Sequence, residues 1–170
     1  MIMISACLLG KNCKYSGGNN ENPCLIDLLK DKKTLPVCPE ELGSLPTPRP
    51  PAEIIKGNGY DVLHGLARIC TKDGGDVTES FLKGAEAVKK LAQSHPINLA
   101  IMKERSPSCG VCKIYDGTFS GKTIPGLGVC TALLKDLGIT VISEESPLSP
   151  EILTLIKESE SSYPFINGFS

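Results

Sequence analysis

The sequence contains no tryptophan and only two histidines, and aromatic residues make up 5% of its 170 positions. Its formal net charge is −1, so no excess of positive charge indicates a surface for nucleic acid or for an anionic membrane. No segment approaches the roughly 20 consecutive apolar residues of a transmembrane helix. The apolar run at 1–6 has no basic region before it and is short for a secretory signal. We therefore expect a cytoplasmic protein that binds neither nucleic acid nor a membrane, and the sequence indicates no oligomeric state.

Cysteine, in contrast, is abundant, with eight residues in the chain. Thiols in the cytoplasm stay reduced, so this number indicates metal binding or thiol chemistry more than a set of disulfide bonds. Because histidine is scarce, any metal site in this protein is expected to be rich in thiolates.

Short apolar segments alternate with helical patterns along the chain. The apolar segments predict buried strands at 1–6, 34–38, 99–102 and 139–143, and apolar periodicity with capping signals predicts helices at 24–30, 76–94, 127–137 and 150–158. This alternation predicts a single-domain α/β protein, a three-layer, Rossmann-like fold with a mainly parallel four-stranded sheet, over residues 1–158. Residues 159–170 are predicted to form a flexible C-terminal tail.

Two segments rich in turn-forming residues, 52–75 and 113–126, are predicted to be loop or hairpin inserts, the first with its turn at Gly57-Asn58-Gly59. A third segment, 36–51, holds six of the thirteen prolines. Because proline fixes φ and lacks an amide donor, we predict a rigid extended loop there and no helix. It begins beside Cys38 and carries Arg49 between two prolines, which favours the wall of a site over a linker.

Three of the predicted strands are each followed by a cysteine. Cys7 follows the first strand, Cys38 ends the second, and Cys109 follows the third in the turn Ser106-Pro-Ser-Cys-Gly110. Parallel strands present their carboxyl ends at one edge of a sheet, which is where open α/β sheets bind ligands. Three thiolates can occupy three corners of a tetrahedral zinc site or hold three irons of a cubane cluster. Either arrangement leaves one metal position open, which favours an enzyme.

The remaining cysteines leave alternatives open. Cys109 and Cys112 form a CxxC pair that, with Cys7 or Cys13, could bind zinc. If Cys112 or Cys13 supplied a fourth ligand, the metal would be fully coordinated, and the chain would be a redox sensor or a metal-stabilised binding module. Three other cysteines lie in apolar contexts and are predicted to be packing residues: Cys24, Cys70 and Cys130.

Glu40, two residues after Cys38, is the best candidate for acid–base chemistry. Two residues span at most about 7 Å, so its carboxylate cannot be far from the edge that carries the thiols. Ser106 and Ser108 flank Pro107 in the third cysteine turn. Ordinary turn chemistry would explain both serines, but their hydroxyl groups could also hold a substrate carbonyl or a water molecule.

Five segments of the sequence also resemble the motifs of a known family. They are Ser5-Ala-Cys-Leu-Leu-Gly10, Val37-Cys-Pro-Glu40, Leu45-Pro-Thr-Pro-Arg-Pro-Pro-Ala-Glu53, Lys103-Glu-Arg-Ser-Pro-Ser-Cys-Gly110 and Tyr115-Asp-Gly117. Together they extend over nearly the whole chain and are similar to the thiouracil desulfidase family, long classed as a domain of unknown function. The chain departs from the family pattern at Tyr15-Ser16-Gly17, where Tyr-Asp-Gly is usual, and in the additional Cys112.

The resemblance implies an α/β fold, a [4Fe-4S] cluster on three cysteines with the fourth iron free, and removal of sulfur from thiolated uracils without net redox chemistry. By motif, Glu40 matches the acid–base residue, and one of Ser106 and Ser108 matches the substrate-binding serine, with Ser106 favoured. The cluster ligands that the motifs imply are Cys7, Cys38 and Cys109.

We therefore expect residues 1–158 to form an iron–sulfur desulfidase domain that converts 2- or 4-thiouracil to uracil and releases hydrosulfide. The free iron, a soft acid, would take the thiocarbonyl sulfur in preference to an oxygen. Glu40 would take the proton of the attacking water, and Arg49 would bind the substrate by orienting its ring oxygen together with the serine. The alternatives are a non-catalytic iron–sulfur or zinc protein and an enzyme that transfers sulfur to an acceptor.

Overall fold

The structure, a computed structural model, describes residues 1–159. In chain order its elements are β1 (Ile2–Ser5), α1 (Pro23–Leu29), β2 (Thr34–Val37), α2 (Pro39–Leu42), β3 (Ala52–Ile55), α3 (Gly59–Leu63), β4 (Arg68–Thr71), α4 (Thr78–Ser94), β5 (Leu99–Met102), β6 (Lys113–Tyr115), β7 (Thr123–Pro125), α5 (Val129–Asp136), β8 (Thr140–Ser143) and α6 (Pro150–Glu158). A short 3₁₀ helix, Ala6–Leu9, follows β1 directly.

The main sheet has the strand order β2-β1-β5-β8, and every neighbouring pair in it is parallel. All residues of β1 and β5 are buried, as the uninterrupted apolar runs require for strands covered on both faces. The four predicted strands and the parallel sheet are therefore confirmed.

Side chains of β1 alternate between two separate apolar clusters, one on each face of the sheet. Ile2 and Ile4 pack with α1 and α6, whereas Met3 packs with α4 and α5. The two faces follow from the period of two along a strand. The predicted three-layer α/β fold is confirmed, with helices on both faces of the sheet.

Both inserts contain antiparallel strand pairs, as predicted. β3 pairs with β4, and β6 pairs with β7. The prediction of a hairpin turn at Gly57-Asn58-Gly59 is wrong, because Asn58 caps α3, which begins at Gly59. The Asn58 side chain accepts a hydrogen bond from the Tyr60 amide at 2.8 Å, and Asp61 accepts from the Asn58 amide at 2.8 Å, which is a capping box.

The prediction that 36–51 contains no helix is also wrong, because α2 occupies Pro39–Leu42. Proline at the first helical position loses no hydrogen bond, since that amide has no partner within a helix, and its fixed φ suits the first turn. The Leu42 amide donates to the Cys38 carbonyl at 3.0 Å, which closes the turn. Cys38 therefore sits at the N-terminal boundary of a helix, and Glu40 lies within its first turn.

Two glycines bring α2 and α4 together, backbone against backbone. A Cβ at Gly84 of α4 would lie 1.9 Å from the Pro39 carbonyl oxygen, and a Cβ at Gly43 would lie 2.0 Å from the Ser80 carbonyl oxygen. No larger side chain fits at either position without moving a helix. This contact fixes the place of the short helix that carries Glu40.

The predicted C-terminal tail, 159–170, lies outside the described residues except for Ser159. Ser159 is buried, and its hydroxyl donates to the Leu155 carbonyl at 2.8 Å and to Asn98 Oδ1 at 3.2 Å. Among residues 1–159, no helix combines the length and the apolar character needed to cross a membrane.

We expect Gly84→Ala to destabilise the protein. In most helix interiors the same change is stabilising, by about 0.5–1 kcal/mol. The added methyl group overlaps the Pro39 carbonyl, so α2 must move. Urea denaturation should show a loss of about 1–3 kcal/mol in the free energy of unfolding, as for overpacked cores. Gly18→Ala is the control, because its Cβ would meet nothing closer than Ser16 Oγ at 3.8 Å. Equal stabilities for the two variants would contradict the close helix contact.

Candidate active site at the carboxyl edge of the sheet

The order of the strands reverses at β1, since β2 lies on one side of it and β5, the next strand of the main sheet along the chain, lies on the other. Loops that leave β1 and β5 in opposite directions open a crevice at the carboxyl ends of the strands. A cavity of about 560 Å³ occupies this place. The predicted site residues that line it are Cys7, Cys38, Glu40, Arg49, Ser106 and Cys109.

Each of the three thiols reaches the cavity by a different local structure. Cys7 lies in the 3₁₀ helix after β1, which Gly10 ends with a left-handed φ of 88°. Cys38 is the residue before α2. Cys109 lies in the loop after β5, where its amide donates to Ser106 Oγ at 3.1 Å. Cys7 and Cys109 are buried and Cys38 is half-buried. The structure thus brings the three predicted ligands to one cavity.

A fourth thiol, that of Cys13, is buried in the same wall and interacts with the thiols of Cys7 and Cys38, and the Cys13 carbonyl accepts from the Cys38 thiol at 3.8 Å. The interaction with Cys13 lowers the pKa of Cys7 to about 7, against the opposing effect of burial. The same thiol lowers the pKa of Cys38, while these two contacts raise the pKa of Cys13 itself. Cys7 and Cys38 are therefore the thiols most ready to ionise, as metal ligation requires.

Cys109 differs from the other two, because burial raises the pKa of its thiol well above the usual value. An interaction with the Ser5 side chain opposes the rise of this pKa. A thiol in such surroundings ionises when a positively charged metal centre binds it. Without a metal centre, the raised pKa makes Cys109 a poor nucleophile.

The cavity is rich in thiols, since four cysteines from three separate segments line it: Cys7, Cys13, Cys38 and Cys109. Soft thiolate ligands select iron–sulfur clusters or zinc over hard cations. Within residues 1–159, no three Cys, His, Asp or Glu side chains converge closely enough to hold a single metal ion. Cys112, which the alternative zinc set requires, is exposed and is not among the residues that line the cavity. The thiols that line the cavity fit a cubane cluster.

Glu40 and Arg49 form an ion pair in the cavity wall. Arg49 Nε donates to Glu40 Oε2 at 2.6 Å, and Nη2 also contacts that oxygen. The other guanidinium donors reach the Pro46 carbonyl at 3.1 Å, Thr47 Oγ1 at 2.9 Å and the Cys13 carbonyl at 2.9 Å. A guanidinium has five N–H groups, and Arg49 makes four hydrogen bonds with them to protein acceptors. In this structure Arg49 holds Glu40 in place, and substrate binding by Arg49 stays a prediction.

The two serines of the third cysteine turn have different environments. Ser106 lines the cavity, and its hydroxyl oxygen accepts from the amides of Ser108 and Cys109, both at 3.1 Å. Ser108 is buried, and its hydroxyl lies 3.5 Å from Glu40 Oε1, a long hydrogen bond. Ser106 is thus the serine on the cavity wall, whereas Ser108 contacts the carboxylate.

Sequence reasoning did not single out Glu104, although it lies inside a motif quoted above. Its Oε1 accepts hydrogen bonds from the amides of Val111, Cys112 and Lys113 at 2.8, 3.0 and 3.1 Å. Burial alone would raise the pKa of Glu104, but these amides outweigh burial and hold the pKa below its usual value. The carboxylate therefore fixes the loop that carries Cys109.

We expect Glu104→Gln to lower the free energy of unfolding by about 1.5–3 kcal/mol at neutral pH, the range for hydrogen bonds to a charged group. Because the folded-state pKa is lowered, this stabilisation is fully present above the unfolded-state pKa of about 4.3 and is lost as the pH falls through the folded value. Urea denaturation should therefore show the largest gap to wild type near pH 7 and a smaller one in acid.

The control for this prediction is Glu86→Gln on the surface of α4, where the carboxylate lies 3.5 Å from Lys89. It should change the free energy of unfolding by no more than about 0.5 kcal/mol. A stability gap for Glu104→Gln that does not change with pH would show that the three amides do not depend on its charge.

The sequence patterns did not predict the positions of two further side chains that line the cavity, Cys13 and Glu53. Cys13 was only an alternative ligand, and its proximity to Cys7 and Cys38 depends on how the loop after β1 returns. Glu53 is buried in β3 and reaches the loop between β6 and β7, 64 residues further along the chain. The only signal for either residue was its place in or near a quoted motif.

Known proteins resemble the chain over most of its length. The solved structure of the [4Fe-4S]-dependent thiouracil desulfidase TudS is similar with a TM-score of 0.77 and 39% identity, and the match covers 92% of this chain and 97% of TudS. The uncharacterized protein YbbK of Bacillus subtilis (strain 168) is 51% identical over 146 residues, which are 85% of this chain and 95% of YbbK. The model of the 2-thiouracil desulfurase family matches residues 2–146. The chain therefore belongs to the 2-thiouracil desulfurase family.

Proposed function

We propose that this desulfidase converts a thiolated uracil, 2- or 4-thiouracil, to uracil by hydrolysis. Water supplies the oxygen, and the carbon–sulfur double bond is replaced by a carbon–oxygen double bond. Sulfur leaves as hydrosulfide with one proton of the water, and the other proton is released to solvent. No electron is gained or lost overall, so the reaction needs no external reductant. The observation that carries the proposal is a single cavity lined by the three predicted ligands, Cys7, Cys38 and Cys109, and by the Glu40 carboxylate that Arg49 holds. Membership of the family and the similarity to TudS support it.

Cys7, Cys38 and Cys109 are the residues that would hold a [4Fe-4S] cluster in this protein. When bound, the cluster would supply a soft Lewis acid that prefers the thiocarbonyl sulfur to a carbonyl oxygen and makes the ring carbon more open to attack. The lowered pKa of Cys7 and Cys38 favours their thiolate forms before the cluster is inserted. This assignment is supported by the position of the three thiols, which line one cavity and come from three separate segments of the chain.

Glu40 would accept a proton from the attacking water and return it to the ring nitrogen or to the departing sulfur. Arg49 supports this role by binding one carboxylate oxygen through two of its N–H groups. The carboxylate is thereby held in one orientation, which lowers the entropy cost of reaching the reactive geometry. Ser106 on the cavity wall would hold the ring carbonyl or the water, and Ser108 would steady the other oxygen of Glu40.

We expect Glu40→Gln to lower turnover by roughly 10²- to 10⁴-fold, the usual cost of losing a general acid or base. Glutamine keeps the size of the side chain but cannot carry the proton. Iron content should stay at the wild-type level, and hydrosulfide release from 2-thiouracil measures the turnover. In the control Glu41→Gln, the carboxylate lost is one that binds Lys11 and Thr47, so activity should persist. Near-normal turnover in Glu40→Gln, or an equal loss in the control, would remove the proposed base.

Alanine in place of Cys7, Cys38 or Cys109 should abolish retention of iron, because two thiolates hold a cubane poorly. Anaerobic purification with iron and sulfide analysis measures this directly. Cys112→Ser and Cys130→Ala are matched controls: Cys112 is exposed, and Cys130 is buried inside α5. Both should keep iron, and Cys130→Ala should lose stability only. If Cys112→Ser loses iron while Cys38→Ala keeps it, the ligand set is wrong.

Hydrosulfide release by the wild type also distinguishes the proposed reaction from its alternatives. Release from 2-thiouracil without any added thiol acceptor supports hydrolysis. Turnover that starts only after an acceptor is added would indicate sulfur transfer. Stable iron content with no turnover of either 2- or 4-thiouracil would indicate a non-catalytic iron–sulfur protein.

A further inference from the structure

Aromatic side chains are few in this protein, and those described are concentrated at the cavity. Residues 1–159 contain five of them, and all but Tyr60 line the cavity. The four that do so are Tyr15, Phe81, Tyr115 and Phe119. A flat aromatic ring binds well to aromatic faces, so this distribution suits a planar heterocycle.

Two of these side chains, Tyr115 and Phe119, come from the insert formed by β6 and β7. The loop between these strands has unusual backbone geometry, with φ of 86° at Gly117 and 57° at Phe119. A left-handed conformation is uncommon for a bulky residue such as phenylalanine. Such conformations persist where the surrounding structure imposes them, often around bound ligands. The loop is therefore held from outside.

Two carboxylates hold the loop: Asp116 accepts from the Thr118 amide and hydroxyl within it, and Glu53 holds it from β3. Glu53 lies in β3 and is only 7% exposed. Its Oε2 accepts from the Gly117 amide at 2.9 Å and from the Phe119 amide at 3.1 Å. A Cβ at Gly117 would lie 2.7 Å from the Ile54 carbonyl oxygen, so the loop rests directly on β3. Glu53 thus connects the first insert to the residue whose ring lines the cavity.

We propose that Phe119 and Tyr115 form the face on which the pyrimidine ring of the substrate stacks, and that Glu53 is the positioning residue that keeps this face in place. The inference rests on the proposed function. Binding of sulfur to a metal does not distinguish one thioamide from another, because the thiocarbonyl is common to all of them. Recognition of a flat, conjugated ring must come from the protein, and an aromatic face supplies it.

The first test uses the holoenzyme and compares KM with kcat for 2-thiouracil. Phe119→Leu keeps the apolar volume but removes the ring, so KM should rise about two- to tenfold. The value of kcat should change less than twofold, and iron content should stay the same. Phe119→Tyr, which restores a ring, should recover most of the lost affinity. Tyr60→Leu is the control, because Tyr60 does not line the cavity and its hydroxyl contacts Asp136 at 3.3 Å.

A second measurement uses 5,6-dihydro-2-thiouracil, which keeps the thioamide but loses the conjugated ring. Wild type should prefer 2-thiouracil by a larger ratio of kcat/KM than Phe119→Leu does. An unchanged KM for 2-thiouracil in Phe119→Leu, or an unchanged preference between the two compounds, would overturn the stacking face.

The role of Glu53 is tested by a double-mutant cycle with Phe119. Glu53→Ala should raise KM to about the level of Phe119→Leu, and Glu53→Gln, which keeps one acceptor oxygen, should lie between. In the double variant with Phe119→Leu, loss of Glu53 should add little, because Glu53 acts through the Phe119 loop. Fully additive effects would overturn the positioning role. If Glu53→Ala does not fold, the same cycle is measured with Glu53→Gln.

Calorimetric binding of uracil to the holoenzyme separates this inference from the proposed function. Uracil carries the ring without the sulfur and cannot react. If wild type releases no hydrosulfide from either thiouracil, the proposed function fails. Weaker uracil binding by Phe119→Leu than by wild type would still support the stacking face, and equal binding would overturn it.

Discussion

The site depends on the position of β1, which is hydrogen-bonded in parallel to β2 on one side and to β5 on the other. This pairing aligns the carboxyl ends of three strands, so that the segments after them meet at one edge. Cys7, Cys38 and Cys109 reach the cavity because their strands share that direction. An antiparallel neighbour at either position would send its cysteine to the opposite edge, and the thiols would be separated by the length of a strand.

Three glutamates also hold the cavity wall together, and each of them binds a different part of it. Glu40 is paired with Arg49, Glu104 accepts from three amides beyond Cys109, and Glu53 accepts from two amides of the Phe119 loop. Loops cannot bury unpaired amide groups without a large cost, and an ionised carboxylate satisfies several of them at once. The wall therefore pairs these loop amides with carboxylates although much of it is irregular backbone.

The sequence alone predicted the sheet, the two inserts and the thiols that meet at the cavity, because these features have local signals. Apolar runs mark buried strands, and the position of a cysteine just after a strand needs no knowledge of distant contacts. The helix after Cys38 was missed because proline is unfavourable inside a helix but favourable at its first position, and the pattern does not distinguish the two. The partners of Glu104 and Glu53 are backbone amides of loops, which have no residue type for a sequence pattern to detect.

Arg49 connects parts of the cavity wall that are distant in the sequence. Its contacts join α2, the proline-rich loop and the loop after β1, so three separate segments depend on a single side chain. Lysine offers three donors from one nitrogen and cannot reproduce this arrangement. Selection would therefore keep arginine here for its architecture alone. Invariance of an arginine in an active-site wall is, for this reason, no evidence that it touches the substrate.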